Sequence, residues 1–344
     1  MKGYAKPLHE FIEGHKIQFV IPVYQRNYDW LIDNCDQLFS DLVKLSRSNR
    51  CSHFFGSIVT SSADSSYNRL VIDGQQRLTT ISLLLLAGIK AVKDGALEIS
   101  EESKIDEAYE VFLKAKFCNS ERKIKLVPIE NDRIAYDKIF NEEDSFDEDS
   151  KVTRNYRHFY DLLTRKPQAL SFDQLLDAIE RLQIISIELD SDDDAQLIFE
   201  SLNSTGLALT EADKIRNYLL MSLTPEEQHM CFKNYWQKIE QATENQPTKF
   251  LRDYLTIQQQ LQRPVRQSNI YYEWKKYMDG HERKEELVKM LDYAHYYQQV
   301  TEAKLSTAKL SEKMRHICNI ETDVTNLLRT RHKTSSPDDD DFSI

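Results

Sequence analysis

Apolar and polar positions along this chain follow two different periods. The run Leu70-Val71-Ile72 is short and β-branched, which predicts a buried strand, and Asp73-Gly74 breaks it. From Leu78 to Lys90 the sequence Leu-Thr-Thr-Ile-Ser-Leu-Leu-Leu-Leu-Ala-Gly-Ile-Lys is long and apolar enough for a buried helix. Residues 73–77 are therefore expected at a strand-to-helix corner. Before it, residues 8–20 read as a short helix and a strand that enters Ile21-Pro22, where regular pairing stops. Leu38, Leu42 and Leu45 fall at helical spacing. Residues 53–60 read as a strand, and Gly56 inside it implies a close backbone approach. The polar tract 61–68 joins it to the next strand as a hairpin or loop.

Beyond the corner, 101–116 reads as a helix and 123–129 as a strand stopped at Pro128. Residues 154–163 and 172–181 are helical, and 183–189 is a strand apolar on both faces, hence placed centrally. Asp192, Asp193 and Asp194 start a helix that Asn203-Ser-Thr-Gly206 closes. Thr210-Glu-Ala-Asp213 starts the next with a capping-box pattern. From 222 to 328 the pattern is almost entirely helical. Phe232, Tyr235, Trp236, Phe250, Tyr254, Tyr271, Tyr272, Trp274 and Tyr277 fall at helical spacing there and read as core rather than as a ligand box.

The corner can be used in two ways. Free N–H groups at a helix start attract anions, and Gly74 lets the backbone approach a ligand. Asp73 can hold a metal or take a proton, Gln75 and Gln76 can orient a water, and Arg77 can fork a phosphate. The structural alternative has Asp73 capping the helix and Arg77 pairing with a surface carboxylate. Upstream, Tyr24, Gln25, Arg26, Tyr28 and Trp30 mix aromatic and hydrogen-bonding groups. Such a loop can stack on a ring and hold a phosphate, or pack as an anchor. Tyr28 and Trp30 are assigned to packing.

Three stretches together are more specific. They are Ile21-Pro-Val-Tyr-Gln-Arg-Asn-Tyr-Asp-Trp30, Val71-Ile-Asp-Gly-Gln-Gln-Arg-Leu-Thr-Thr80, and the pattern of Phe199, Glu200, Leu202, Asn203, Gly206, Leu209 and Asp213. In this order they resemble the DUF262 family, the N-terminal domain of GmrSD-type, modification-dependent restriction systems. The resemblance implies an α+β fold, with a ParB/sulfiredoxin-like N-terminal core and a mainly α-helical C-terminal region. The expected division is a first domain over 1–221, a helical domain over 222–330 and an acidic tail or linker over 331–344.

The resemblance further implies nucleotide hydrolysis at the corner, with a nucleoside triphosphate as substrate or ligand and Mg²⁺ as cofactor. Asp73, Gln75, Gln76 and Arg77 are then catalytic, and Asp73 is the metal ligand. Tyr24, Gln25, Arg26, Gly74, Glu200 and Asn203 hold the nucleotide, and Asp213 either joins them or locks the helix turn. The function so implied is a nucleotide-hydrolysing, modified-DNA-sensing regulatory domain of a phage-defence restriction system. Its partners would be DNA and a nuclease domain or subunit, since no His-centred nuclease pattern is found here. The alternative is a switch module that binds nucleotide or DNA without turnover. A sulfiredoxin-like redox role is disfavoured because no cysteine lies in or beside the corner.

Composition changes this picture little. The chain has 344 residues, 40% hydrophobic and 29% charged, enough for about two domains. Only 8 Gly and 8 Pro fit a helix-rich fold. No apolar run reaches membrane-span length, and no apolar segment follows the first residues, so neither membrane partner nor secretory leader is expected. Five scattered cysteines without metal-ligand spacing fit reduced thiols in a cytoplasm. The net charge of −11 argues against a protein that coats nucleic acid, but much of the acid is concentrated in 141–150 and 337–341. Basic groups collect at Arg263, Arg266, Lys275 and Lys276, and again at 329–333, where phosphate contacts are one reading and solvated side chains the other. No Gly-x-x-x-x-Gly-Lys-Ser/Thr loop occurs, so a nucleotide site here is not of the P-loop kind. Homo-oligomer formation is left open. Plasmid DNA incubated with the purified chain and Mg²⁺ is expected to stay intact on a gel. Cleavage that a substitution within the chain abolishes would contradict this.

Overall fold

The computed structural model describes residues 1–48, 50–62, 67–118, 123–165, 170–190, 192–202 and 209–318. The chain divides into two compact units, Met1–Leu202 and Asn203–Ile344. The first is α+β and the second helical.

The first unit is built on a mixed sheet in the order β1-β6-β3-β4-β2-β5. The strands are β1 (Lys2–Pro7), β2 (Gln18–Val20), β3 (His53–Ser62), β4 (Asn68–Asp73), β5 (Leu126–Val127) and β6 (Leu182–Leu189). β3 pairs antiparallel with β4 and parallel with β6, while β4 pairs parallel with β2. Around the sheet stand α1 (Leu8–Ile12), α2 (Ile32–Arg47), α3 (Gln75–Lys93), α4 (Ser103–Ala108), α5 (Glu130–Phe140), α6 (Lys151–Thr164), α7 (Phe172–Glu180) and α8 (Ala195–Leu202).

α3 is the hub of the helical layer. Leu78, Ile81, Leu83, Leu84, Leu85, Leu86, Ala87, Ile89 and Ala91 are all buried, so the helix is apolar around most of its circumference. A helix of that kind must be covered on several sides. It packs against α6 and α7, and it starts directly from the end of β4. Gly88 belongs to this packing, because a Cβ there would come within 3.1 Å of Phe172.

Several elements differ from the sequence reading. α3 begins at Gln75, three residues before Leu78, so Gln75, Gln76 and Arg77 form its first turn rather than a loop ahead of it. β1 carries no strong apolar alternation and was not foreseen; it is held by its antiparallel pairing to β6. β6 is therefore flanked on both sides but lies next to an edge, not at the centre. The expected strand over 123–129 shrinks to β5 and an isolated bridge between Lys114 and Ile124. The expected helix over 101–116 ends at Leu113 in a π-helical turn. Asp194 caps α8, accepting from Leu197 N at 3.0 Å.

The second unit comprises α9 (Glu211–Leu220), α10 (Pro225–Cys231), α11 (Gln237–Ala242), α12 (Pro247–Gln258), α13 (Ile270–Tyr277), α14 (Arg283–Thr301) and α15 (Ala308–Cys318). The expected aromatic core is present in part: Trp236, Phe250, Tyr254 and Trp274 are buried, Phe232, Tyr235, Tyr271 and Tyr277 are half-buried, and Tyr272, on the outer side of α13, is exposed. α9 packs with α12, α13 and α14, within the second compact unit. Among the described residues no helix is long and apolar enough to cross a membrane.

Candidate functional site

The corner is built by β3, β4 and the first turn of α3. β4 ends at Asp73, which lies opposite Val59 of β3. Gly74 then takes φ +98° and serves as the N-cap of α3. A side chain cannot replace it cheaply, because φ is in the left-handed region and a Cβ would come within 3.0 Å of Ile58. One helical turn on, Arg77 returns to the strand end. Its Nη1 stands 4.0 Å from Asp73 Oδ2 and donates to the Ser57 carbonyl at 3.2 Å. The guanidinium lies over Gly56, where a Cβ would come within 2.5 Å of Arg77 Nε. The close approach implied by Gly56 is thus made by an arginine side chain.

Asp73 and Arg77 keep 25% and 29% of their side-chain exposure. Burial pushes the Asp73 carboxyl above its ordinary value, opposed by Arg77, by the Gly74 N–H and by Arg26. The group is a half-buried carboxylate with two guanidinium charges in its field. The Gly74 N–H bond to it is a contact of the capping kind, and Arg77 pairs with it from one turn along the helix.

The loop 24–30 is fastened to this corner by amide side chains. Gln25 Nε2 donates to the Ile72 carbonyl at 2.8 Å. Gln75 Nε2 donates to the Arg26 carbonyl at 3.1 Å and to Gln25 Oε1 at 3.3 Å. Gln76 Oε1 accepts from Asp29 N at 2.8 Å and Trp30 N at 3.2 Å, while its Nε2 donates to the Asn27 carbonyl at 3.3 Å. Tyr28 turns inward, with its hydroxyl 2.7 Å from Thr80 Oγ1 and accepting from Asn155 at 3.0 Å. Asp132 accepts from Tyr28 N at 2.6 Å. Each such bond contributes about 1 kcal/mol, and together they fix the loop conformation.

The predicted residues accordingly divide. Asp73 and Arg77 meet at one partly exposed place, with the buried Gly74 turn between them and the Arg26 charge acting on Asp73. Arg26 is 16% exposed and donates to Asp29 at 3.3 Å, and Asp29 also pairs with Lys151 at the start of α6. Gln75 and Gln76 hold the loop with the bonds described. Tyr24 and Gln25 are buried beneath it. Glu200 accepts from Gln196 at 3.0 Å on α8, and α8 packs against β4. Asn203 and Gly206 lie outside the described residues. Asp213 closes the capping box with Thr210 and pairs with Arg216 at 2.7 Å, which is the helix-turn lock. Sequence reasoning missed Ser57, Asp29, Asp132, Lys151 and Asn155. Ser57 acts through its carbonyl and the others are single polar residues in or beside ordinary elements, so no local pattern marks them.

A metal has few candidate ligands here. Among the described residues no group of three or more His, Cys, Asp or Glu side chains is placed to hold an ion. Asp73 offers one carboxylate, and the arginine charge in its field disfavours a free cation there.

Residues 8–220 match the family model described as the GmrSD restriction endonuclease, N-terminal domain. The chain belongs to this family. No curated protein matches it. The GmrSD N-terminal match spans all three sequence stretches and ends at the last residue of α9, leaving α10 to α15 outside it.

The loop fastening has a pH signature. Burial, with Asp29 nearby, pushes the Asp132 carboxyl up to about 6 from 3.8, against the opposing Tyr28 N–H and Lys151. Between those values the folded chain binds more protons than the unfolded one, so this group's contribution to stability falls as pH rises through about 6. Asp132→Asn keeps an oxygen for Tyr28 N and removes the titration. Its melting temperature relative to wild type is expected to rise from about pH 4.5 to pH 7. A constant difference across that range would contradict the assignment.

Proposed function

We propose that the chain is a nucleotide-hydrolysing regulatory domain of a phage-defence restriction system, one that senses modified DNA and acts with a nuclease domain or subunit. Family membership supports the restriction-system part. The observation that carries the chemistry is Asp73 at the start of α3, 4.0 Å from Arg77 and in the field of Arg26. Two guanidinium groups with restrained positions suit a phosphate chain. The helix start adds N–H groups that favour the same anion. Gly74, buried against Ile58, serves the turn that brings Arg77 back to Asp73.

In this reading Arg77 and Arg26 bind phosphate oxygens and stabilise charge that grows on them. Phosphoryl transfer asks mainly for such positioning and charge stabilisation. Asp73 orients or deprotonates the attacking water, which its raised pKa favours. If Mg²⁺ accompanies the nucleotide, Asp73 is the carboxylate that would hold it, and the ion would supply further neutralisation of phosphate charge. Gln75 and Gln76 act by holding Arg26 and the 24–30 loop against the corner.

One observation favours the second reading, a binding switch without turnover. Both glutamine amides are engaged with the loop, so neither is spare to orient a water. A ligand that drew on Arg26 would then act on the loop rather than on a bond of its own. A time course of phosphate release from nucleoside triphosphates, with and without modified DNA, separates the two.

Under the hydrolytic reading, Arg77→Ala is expected to weaken nucleotide binding by about tenfold and abolish most turnover. Asp73→Ala should spare binding more and still abolish turnover. The double variant should lose little beyond the worse single one, because both groups serve one transition state. Turnover should also rise with pH across the range in which Asp73 ionises. Wild-type turnover in folded Arg77→Ala would refute the assignment.

A further inference from the structure

We propose that a cavity in the helical unit is a phosphate site that grips the backbone of duplex DNA. It encloses about 430 Å³ and is lined by Gln246, Thr248, Lys249, Arg252, Gln267 and Ile270. Its polar lining is two cations, two amides and a hydroxyl, with no carboxylate. Donors of that composition match phosphate oxygens and disfavour a cation.

Local packing explains how the cavity is held. Phe250, Leu251, Tyr254 and Leu255 are buried, which fixes α12 and leaves Lys249 and Arg252 on its more exposed side. Ile270 is buried at the start of α13 and closes the apolar floor. Arg252 lies beside the buried Asp253, Nε to Oδ1 3.4 Å, which offsets part of its charge. Lys249 is therefore the exposed positive group of the cavity.

The charge along this segment favours one occupant, even with Glu211 bonded to Tyr271 N beside Ile270 at 2.7 Å. Residues 246–276 carry six Lys or Arg and only two acids, in a chain of net charge −11. One of the acids is the buried Asp253, and the other, Glu273, is bonded to Lys276 at 3.1 Å. Arg263, Arg266 and Lys275 stand exposed on the neighbouring segments. A single phosphate would need only the cavity. Basic charge that continues past it fits a row of phosphates, which DNA supplies. No residue of the corner takes part, and the site rests on the reading above only in taking DNA as the partner.

The test measures binding of a labelled duplex to the full chain by fluorescence anisotropy at several salt concentrations. Lys249→Gln is expected to weaken binding by about fivefold to tenfold at low salt and to reduce the salt slope by about one. Gln267→Ala should weaken it less, and Lys238→Gln, an exposed lysine on α11, should leave it unchanged. All three positions are exposed, so melting temperatures should match wild type. Wild-type binding in both Lys249→Gln and Gln267→Ala would overturn the proposal. So would a wild-type chain that binds inorganic phosphate at the cavity but no DNA. Phosphate release from nucleotide in the same preparations reads the corner separately: its absence would count against the hydrolytic reading and leave the DNA site standing.

Discussion

The left-handed turn at Gly74 is the constraint on which the site depends. It reverses the chain from β4 into α3 within one residue, with Ile58 filling the space a side chain would need. Because the helix starts immediately, Arg77 comes back one turn later beside the strand end that carries Asp73. Gly56 and the Ser57 carbonyl on β3 then seat the guanidinium. Two strands and a helix thus determine a carboxylate–guanidinium pair whose members are both half withdrawn from water.

The second organising feature is the use made of three glutamines. Gln25, Gln75 and Gln76 spend their amides on backbone groups of the loop and of β4. An amide can donate and accept at once, so each can tie two segments together without introducing charge. That matters next to Asp73, Arg26 and Arg77, where a further formal charge would alter the field. Beneath the loop, Tyr28, Thr80 and Asn155 extend the same tie to α6. The polar residues of the corner therefore fall into two groups: Asp73 and Arg77 stay partly exposed, and the glutamines with Tyr28, Thr80 and Asn155 hold the loop against them.

Much of the first unit was legible in the chain. The apolar run of β4, the break at Asp73-Gly74 and the long apolar helix were all written in local pattern, and three spaced stretches indicated the family. What was not legible is what tertiary contact decides. The start of α3 lay three residues earlier than its apolar run, because Gly74 could cap a helix whose first turn is polar. β1 exists through β6 rather than through its own pattern. The partition of the glutamines from the arginines, and the roles of Asp132 and Lys151, required knowing which elements meet. Tyr24 looked like a stacking residue in sequence and is buried in the fold.

Glutamine side chains bind the loop and the corner into one unit. Hydrogen exchange of the Asp29 and Trp30 amides tests it most directly, since both donate to Gln76. In Gln76→Ala these amides are expected to exchange roughly tenfold faster or more, while amides of β3 and β4 keep their protection. Unchanged exchange at Asp29 and Trp30 in a folded Gln76→Ala protein would contradict the account.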